Sequence, residues 1–290
     1  MKNFDYAAAT TIDEAVSLLA ARGDRARVLA GGTDIIVQLR EGLRDADLVL
    51  DIKKIDELNE LEFAADGALT LGAAVPCQQL YGNSRIVQEY SALADSAHII
   101  GGWQIQSRAT IVGNLCNSSP AADSIPALIC LGAIVQIAGP DGRREVPVSQ
   151  FCTAPGRNVL KRGEFVVALK FPAPGKHAGS HYRRFIPRNE MDIAVVGVGS
   201  WLRLNAAGDK IESARIALGA VAPTPLLAQA ASDSLTGKAP TAENFAAAGD
   251  VARQIAKPIS DMRGPAEYRV HLVGVLVERT LAAAYERAKS

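Results

Sequence analysis

The chain has 290 residues, 48% of them hydrophobic and 21% charged, enough apolar material for a buried core and for two domains. Lysine plus arginine and aspartate plus glutamate balance at 31 each, so no net field favours nucleic acid or an anionic membrane. No apolar run approaches the ~20 residues of a bilayer span, and the start, Met1-Lys-Asn-Phe-Asp-Tyr6, lacks the apolar core of a secretory signal, which predicts a cytoplasmic protein.

Thr11-Ile-Asp-Glu14 has the form of a capping box, and Ile12, Ala15, Val16 and Leu19 then repeat at helical spacing, predicting a first helix. Arg27–Ala30 reads as a short strand and Gly31-Gly32 as a turn. Ile35–Arg40 reads as a helix and Asp47–Ile52 as a second strand. This is an αβαβ unit closed by about residue 55. From Leu61 to Val75 the pattern is strand, Asp66-Gly67 turn and strand, followed by a helix predicted from Val87 to Ile100. A helix over 124–131, a hairpin around Gly139-Pro-Asp-Gly142 and a strand at Phe165–Phe171 come next. Pro172–His177 marks the best domain boundary. Beyond it, Tyr182–Phe185, Ala194–Leu204 and Ile211–Leu218 read as strands. Ala266–Ala288 reads as a terminal helix with Val270, Val273, Leu276, Val277 and Leu281 on its core face.

Cys77, Cys116, Cys130 and Cys152 show no CxxC pairing, so neither a zinc nor an iron–sulfur site is expected, and each reads as a small buried thiol, with Cys116 set apart because it lies within the Thr110–Asp123 segment. His98, His177, His181 and His271 are dispersed without ligand spacing. Trp103 reads as core, although it stands close enough to a candidate ligand segment to pack on a ring.

Two glycine-bearing segments carry the chemistry. Ala30-Gly-Gly-Thr-Asp34 joins a strand to a helix, an arrangement that can aim backbone N–H groups and a helix N-terminus at phosphate oxygens, with Thr33 adding a hydroxyl. It lacks the lysine of a P-loop and does not satisfy GxGxxG. Taken alone, it reads as a ligand-free connection more readily than as a ligand loop. The second segment, Thr110-Ile-Val-Gly-Asn-Leu-Cys-Asn-Ser-Ser-Pro-Ala-Ala-Asp123, offers a glycine for close approach, amides at Asn114 and Asn117, and a carboxylate at Asp123 placed to cap a helix or accept from a sugar hydroxyl. Alone it divides evenly between a helix-entry loop and a ligand site.

Together with Arg188-Asn-Glu-Met-Asp-Ile-Ala194, Ala214-Arg-Ile-Ala-Leu-Gly219 and Tyr268-Arg269, these segments make almost the whole chain resemble the FAD-binding medium subunit of the molybdenum hydroxylases, the family of carbon monoxide dehydrogenase and bacterial xanthine dehydrogenase types. The resemblance implies an α+β protein: a two-lobed FAD-binding domain of the vanillyl-alcohol-oxidase (PCMH) type over 1–175, with lobes of about 1–55 and 56–175, then a C-terminal α+β flavoprotein domain over 178–290. It places Leu29, Ala30, Gly31, Gly32, Thr33, Asp34 and Ile35 around the diphosphate, and Thr110, Gly113, Asn114, Asn117 and Asp123 along the cofactor. Ile100, Val166 and Arg184 fall where relatives make further FAD contacts.

The implied function is electron transfer in a heterotrimer, assembled as a dimer of heterotrimers. Electrons come from the [2Fe–2S] clusters of a small subunit, served by a large molybdopterin subunit, and leave FAD for NAD⁺, a quinone or oxygen. No catalytic side chain and no metal ligand is assigned to this chain. The alternatives are a self-contained FAD oxidase or dehydrogenase and a flavin-free nucleotide-binding assembly module. The sequence departs from the family at Val112-Gly113, where many relatives have two glycines, and at Ile105-Gln-Ser107, which replaces Ile-Arg-Asn. A β-branched residue does not tolerate positive φ, so β-region dihedrals are predicted at Val112.

Overall fold

The computed structural model describes residues 2–188 and 191–289. Asn189 and Glu190, inside one of the family segments, lie outside the described residues.

The chain opens with a strand the sequence reading passed over. Asp5–Ala8 pairs parallel with Leu48–Asp51, which pairs parallel with Ala26–Leu29 on its other side. The first unit is therefore βαβαβ, with Leu48–Asp51 central, and its ligand-facing side is expected at the carboxyl ends of the strands. Asp5–Ala8 carries no local signal, because none of its four residues is buried and no apolar alternation runs along it. The helix Ile12–Arg22 begins as the capping box requires, with Thr11 accepting from the Glu14 N–H, but the Glu14 carboxylate reaches back to the N–H of Thr10 at 2.8 Å.

The second lobe is a five-stranded antiparallel sheet in the order Leu61–Phe63, Leu69–Gly72, Phe165–Phe171, Ile134–Gly139, Gly142–Pro147. Phe165–Phe171 is buried at every position except Lys170, as suits the central strand. The single helix predicted over 87–100 is instead two, Ser84–Glu89 and Ser91–Ala97, broken at Tyr90. Tyr90 leaves the helical region at φ −125°, ψ 45°, and its buried ring sends the hydroxyl to the carbonyls of Gly67 at 2.7 Å and Pro172 at 3.1 Å. Tertiary anchoring overrides local helix propensity there. Val112, predicted in the β region, is helical within Ile111–Cys116. Its φ is not positive, so the valine is unstrained.

The third unit is a four-stranded antiparallel sheet of Ala178–Phe185, Val196–Leu204, Ile211–Gly219 and Leu226–Leu227. The helix Ala266–Lys289 lies so close across it that a Cβ on Gly179 would meet the Ala284 carbonyl oxygen at 2.1 Å. Of the expected core face, Val273, Leu276, Val277 and Leu281 are buried while Val270 is half-buried. Its neighbour Arg269 is buried, donating to the carbonyls of Val195 and Ala220 and to Asp261.

The short helix Ser124–Cys130 joins the sheets. Its Pro126 carbonyl sits where a Cβ on Gly199 would fall, at 2.5 Å, and the Cys130 carbonyl accepts from Arg215 at 2.7 Å. Tyr182, Trp201 and Ala217 of the third unit belong to the hydrophobic core of the first two.

Candidate cofactor cleft

A cleft of about 700 Å³ opens where the turn after Ala26–Leu29 meets the segment entering Ile111–Cys116. A Cβ on Gly31 would lie 1.9 Å from the Arg108 carbonyl oxygen, so only glycine lets these two backbones touch. Gly32 holds φ +77°, the left-handed conformation that turns the chain into Ile35–Arg40. The Asn117 side-chain amide donates to the Asp34 carboxylate, tying one segment to the other across 83 residues of sequence. The two stretches thus converge on one groove.

Of the residues singled out from the sequence, Ala30, Gly31, Gly32, Thr33, Asp34 and Ile35 line the cleft from one side, and Ile100, Thr110, Gly113, Asn114, Asn117 and Val166 from the other. Leu29, Asp123 and Arg184 do not line it. Leu29 packs instead with Leu39, Ala46 and Val49 beneath the turn. Asp123 makes no side-chain cap, contrary to one reading of it. Its carboxylate accepts from the Tyr182 hydroxyl at 2.9 Å and from Arg184 at 2.5 Å in a buried trio that bridges the second lobe and the third unit.

The local bonding assigns different tasks to residues that look alike in sequence. The N–H of Gly113 is not bare, because the buried Thr110 hydroxyl accepts it at 2.9 Å as a helix cap. Asn114 spends its side-chain oxygen on Ser124, accepting from its hydroxyl at 2.6 Å and its N–H at 3.2 Å. In the glycine turn the situation reverses: among the described residues, the N–H groups of Gly31, Gly32, Thr33 and Asp34 have no protein acceptor. Ile35–Arg40 is only six residues long and carries little dipole, so the groups suited to an anion are the turn's own N–H groups and not a helix end.

Burial raises the pKa of Asp34, and the Asn117 amide opposes the shift. Arg27 is lowered, first by burial and then by repulsion from Arg44, and both arginines line the cleft with Arg157, Lys161 and Arg162. The acids there are Asp24, Asp34 and Glu164, the last already gripped by both prongs of Arg144. None of these basic residues was singled out from the sequence, although the run Arg157-Asn-Val-Leu-Lys-Arg162 gave the signal. Apolar walls come from Ile52, Ala73, Ile100, Leu160, Phe165 and Val166.

Trp103, read as core, is 64% exposed, standing edge-on to His98 with Tyr81 beyond. Cys77 and Cys130 are buried, Cys116 and Cys152 half-buried, and all four are free thiols. Burial pushes Cys77, Cys116 and Cys130 up to about 12, which leaves them without thiolate character near neutral pH. Among the described residues there is no cluster of His, Cys, Asp and Glu able to hold a metal, and no helix long and apolar enough to cross a membrane.

The residues present fit FAD. Unbonded turn N–H groups and a pair of mutually repelling arginines suit a diphosphate, and the apolar walls suit a ring system.

Residues 2–174 match the FAD binding domain in molybdopterin dehydrogenase, and residues 181–284 match the CO dehydrogenase flavoprotein C-terminal domain. The chain is 33% identical over 289 residues to the xanthine dehydrogenase FAD-binding subunit of Escherichia coli O157:H7, covering 98% of each protein. It is 32% identical over 285 residues to the carbon monoxide dehydrogenase medium chain of Hydrogenophaga pseudoflava, again covering 98% of each. The fold superposes on a chain of reconstituted CO dehydrogenase from Oligotropha carboxidovorans with a TM-score of 0.93 at 31% identity, covering 99% of both. Quinoline 2-oxidoreductase from Pseudomonas putida 86 gives a TM-score of 0.90 at 27% identity over the full length of both chains. With its two-lobed FAD-binding domain, its C-terminal flavoprotein domain and a cleft whose donors suit FAD, the chain belongs to the family of FAD-binding medium subunits of the molybdenum hydroxylases.

Proposed function

We propose that this chain is the electron-transfer subunit of a heterotrimeric molybdenum hydroxylase, receiving electrons singly from the [2Fe–2S] clusters of a small subunit and releasing them in pairs to NAD⁺, a quinone or oxygen. A large molybdopterin subunit oxidises the organic substrate, and the trimers pair into a dimer of heterotrimers. FAD supplies the exchange between one-electron and two-electron steps when bound. The chain's own residues bind and orient it. The turn Ala30–Ile35 takes the diphosphate through the N–H groups of Gly31, Gly32, Thr33 and Asp34, while Leu29 supports it from beneath. Thr110, Gly113, Asn114 and Asn117 line the cofactor, and Ile100 and Val166 exclude water along its apolar side. Asp123 and Arg184 act from outside the cleft: Asp123 precedes Ser124, which fixes the Asn114 amide.

The observation that carries this reading is the convergence of the two glycine-bearing segments on one cleft through Gly31 against Arg108 and Asn117 on Asp34. Medium-chain and FAD-subunit names among the relatives point the same way. The test is co-expression with a large molybdopterin subunit and a small [2Fe–2S] subunit of the same organism. The complex should show a flavin spectrum that bleaches with organic substrate, whereas the isolated chain, loaded with FAD, should stay oxidised when given that substrate. Bleaching of the lone chain by organic substrate would instead establish a self-contained oxidase, and a chain that takes up no FAD would leave a nucleotide-binding or assembly role.

A further inference from the structure

Behind the glycine turn runs a chain of contacts among Tyr6, Asp51, Lys53 and Ala30. Lys53 donates from Nζ to the Ala30 carbonyl oxygen at 3.0 Å and to Asp51 Oδ1 at 2.7 Å, and its own N–H goes to the same Oδ1 at 2.9 Å. The Tyr6 hydroxyl donates to the other oxygen of Asp51 at 2.8 Å. Asp51 ends the central strand, in register with Ala8 on one side and Leu29 on the other. Three strands therefore feed one relay: Tyr6 from the first, Asp51 from the middle, and Ala30 just past the end of the third. The Asp51 side chain is 11% exposed and that of Lys53 31% exposed, so the ion pair is partly shielded from water.

The peptide plane gives this relay its consequence. The carbonyl of Ala30 and the N–H of Gly31 belong to one rigid trans peptide and point in opposite directions. Drawing the oxygen toward Lys53 fixes the N–H on the other side, and both Ala30 and Gly31 line the cleft while Lys53 does not. The next two residues are glycines, whose backbone freedom would otherwise have to be lost on binding. We propose that Lys53, oriented by Asp51, is a positioning residue that presets the Ala30–Gly31 peptide so that its N–H faces the cofactor's diphosphate. This inference rests on the placement of that diphosphate at the glycine turn.

The test compares FAD dissociation constants, read from flavin fluorescence, for the full-length chain and for Lys53→Met and Lys53→Arg, alongside the melting temperatures of the FAD-free proteins. Methionine keeps the apolar stem and removes the donor. It is expected to weaken FAD binding by roughly tenfold or more, the scale of one lost charged hydrogen bond, with little change in FAD-free stability. Arginine, which keeps both charge and donor, should restore most of the affinity. Binding by Lys53→Met within twofold of the native chain overturns the proposal. So does a loss that arginine does not rescue and that follows an equal fall in FAD-free stability. Failure of the native chain itself to bind FAD would count against the cofactor reading and not against Lys53 in particular.

Discussion

Gly31 and Arg108 touch through their backbones: a Cβ on Gly31 would stand 1.9 Å from the Arg108 carbonyl oxygen, with Ala109 Cα at 3.0 Å. This glycine is required by the meeting of two protein segments before any ligand arrives. Since the obstacle is main chain and not a side-chain tip, Gly31→Ala must push the segments apart. We expect it to lower stability by about 1–3 kcal/mol and to leave the purified protein largely free of FAD, checked by thermal melting and by the ratio of flavin to protein absorbance.

Asn117→Asp would set a second carboxylate against Asp34, whose pKa burial already raises. Two adjacent carboxylates cannot both ionise cheaply, so the pair should share a proton at low pH and repel at high pH. FAD affinity should fall by at least about tenfold at neutral pH and recover partly toward pH 5. An affinity that is flat with pH would contradict this account of the contact.

Arg184 is the cation of the buried trio, and burial still pushes Asp123 up to about 6. A folded-state value above the unfolded one means that the native protein holds its proton more tightly. The stability this group contributes is therefore present at low pH and lost as pH rises from about 4 through about 6. Arg184→Met removes the counter-charge, raises Asp123 further and extends the loss to higher pH. It should cost about 3–5 kcal/mol near neutrality, with a melting temperature that falls as pH is raised through that range.

Asp95 fastens the terminal helix to the second lobe. Arg287 donates to both its oxygens at 2.6 and 2.9 Å, His181 Nδ1 stands at 2.8 Å, and the Tyr182 N–H adds a bond at 3.1 Å. Burial pushes the Asp95 carboxyl upward, and His181 and Arg287 together more than offset it, holding the group below its usual range. Asp95→Leu leaves half-buried donors facing an apolar group, and a loss of about 1–3 kcal/mol is expected, read by chemical denaturation. Its lowered pKa predicts the opposite pH trend to Asp123: stability from Asp95 is present above about pH 4 and lost on acidification.

Much of the cleft's lining was legible because its signals are local. A glycine pair between a strand and a helix states a backbone requirement that a short window contains. The same holds for the first helix and its cap, for Gly67 and Gly142 as turn positions with positive φ, and for the terminal helix. Together these segments determined the family and hence the cofactor. Tertiary structure decided the rest, because contacts between distant residues leave no local pattern. Tyr90 breaks a predicted helix to reach Gly67 and Pro172, Asp123 gives up capping for Arg184 61 residues away, and Trp103 stands in solvent where composition alone suggested core. The clasp of Lys53 on Ala30 belongs to the same class. Its two residues become neighbours only when parallel strands set their carboxyl ends side by side, a register that hydrogen bonding fixes in space and that no stretch of sequence spells out.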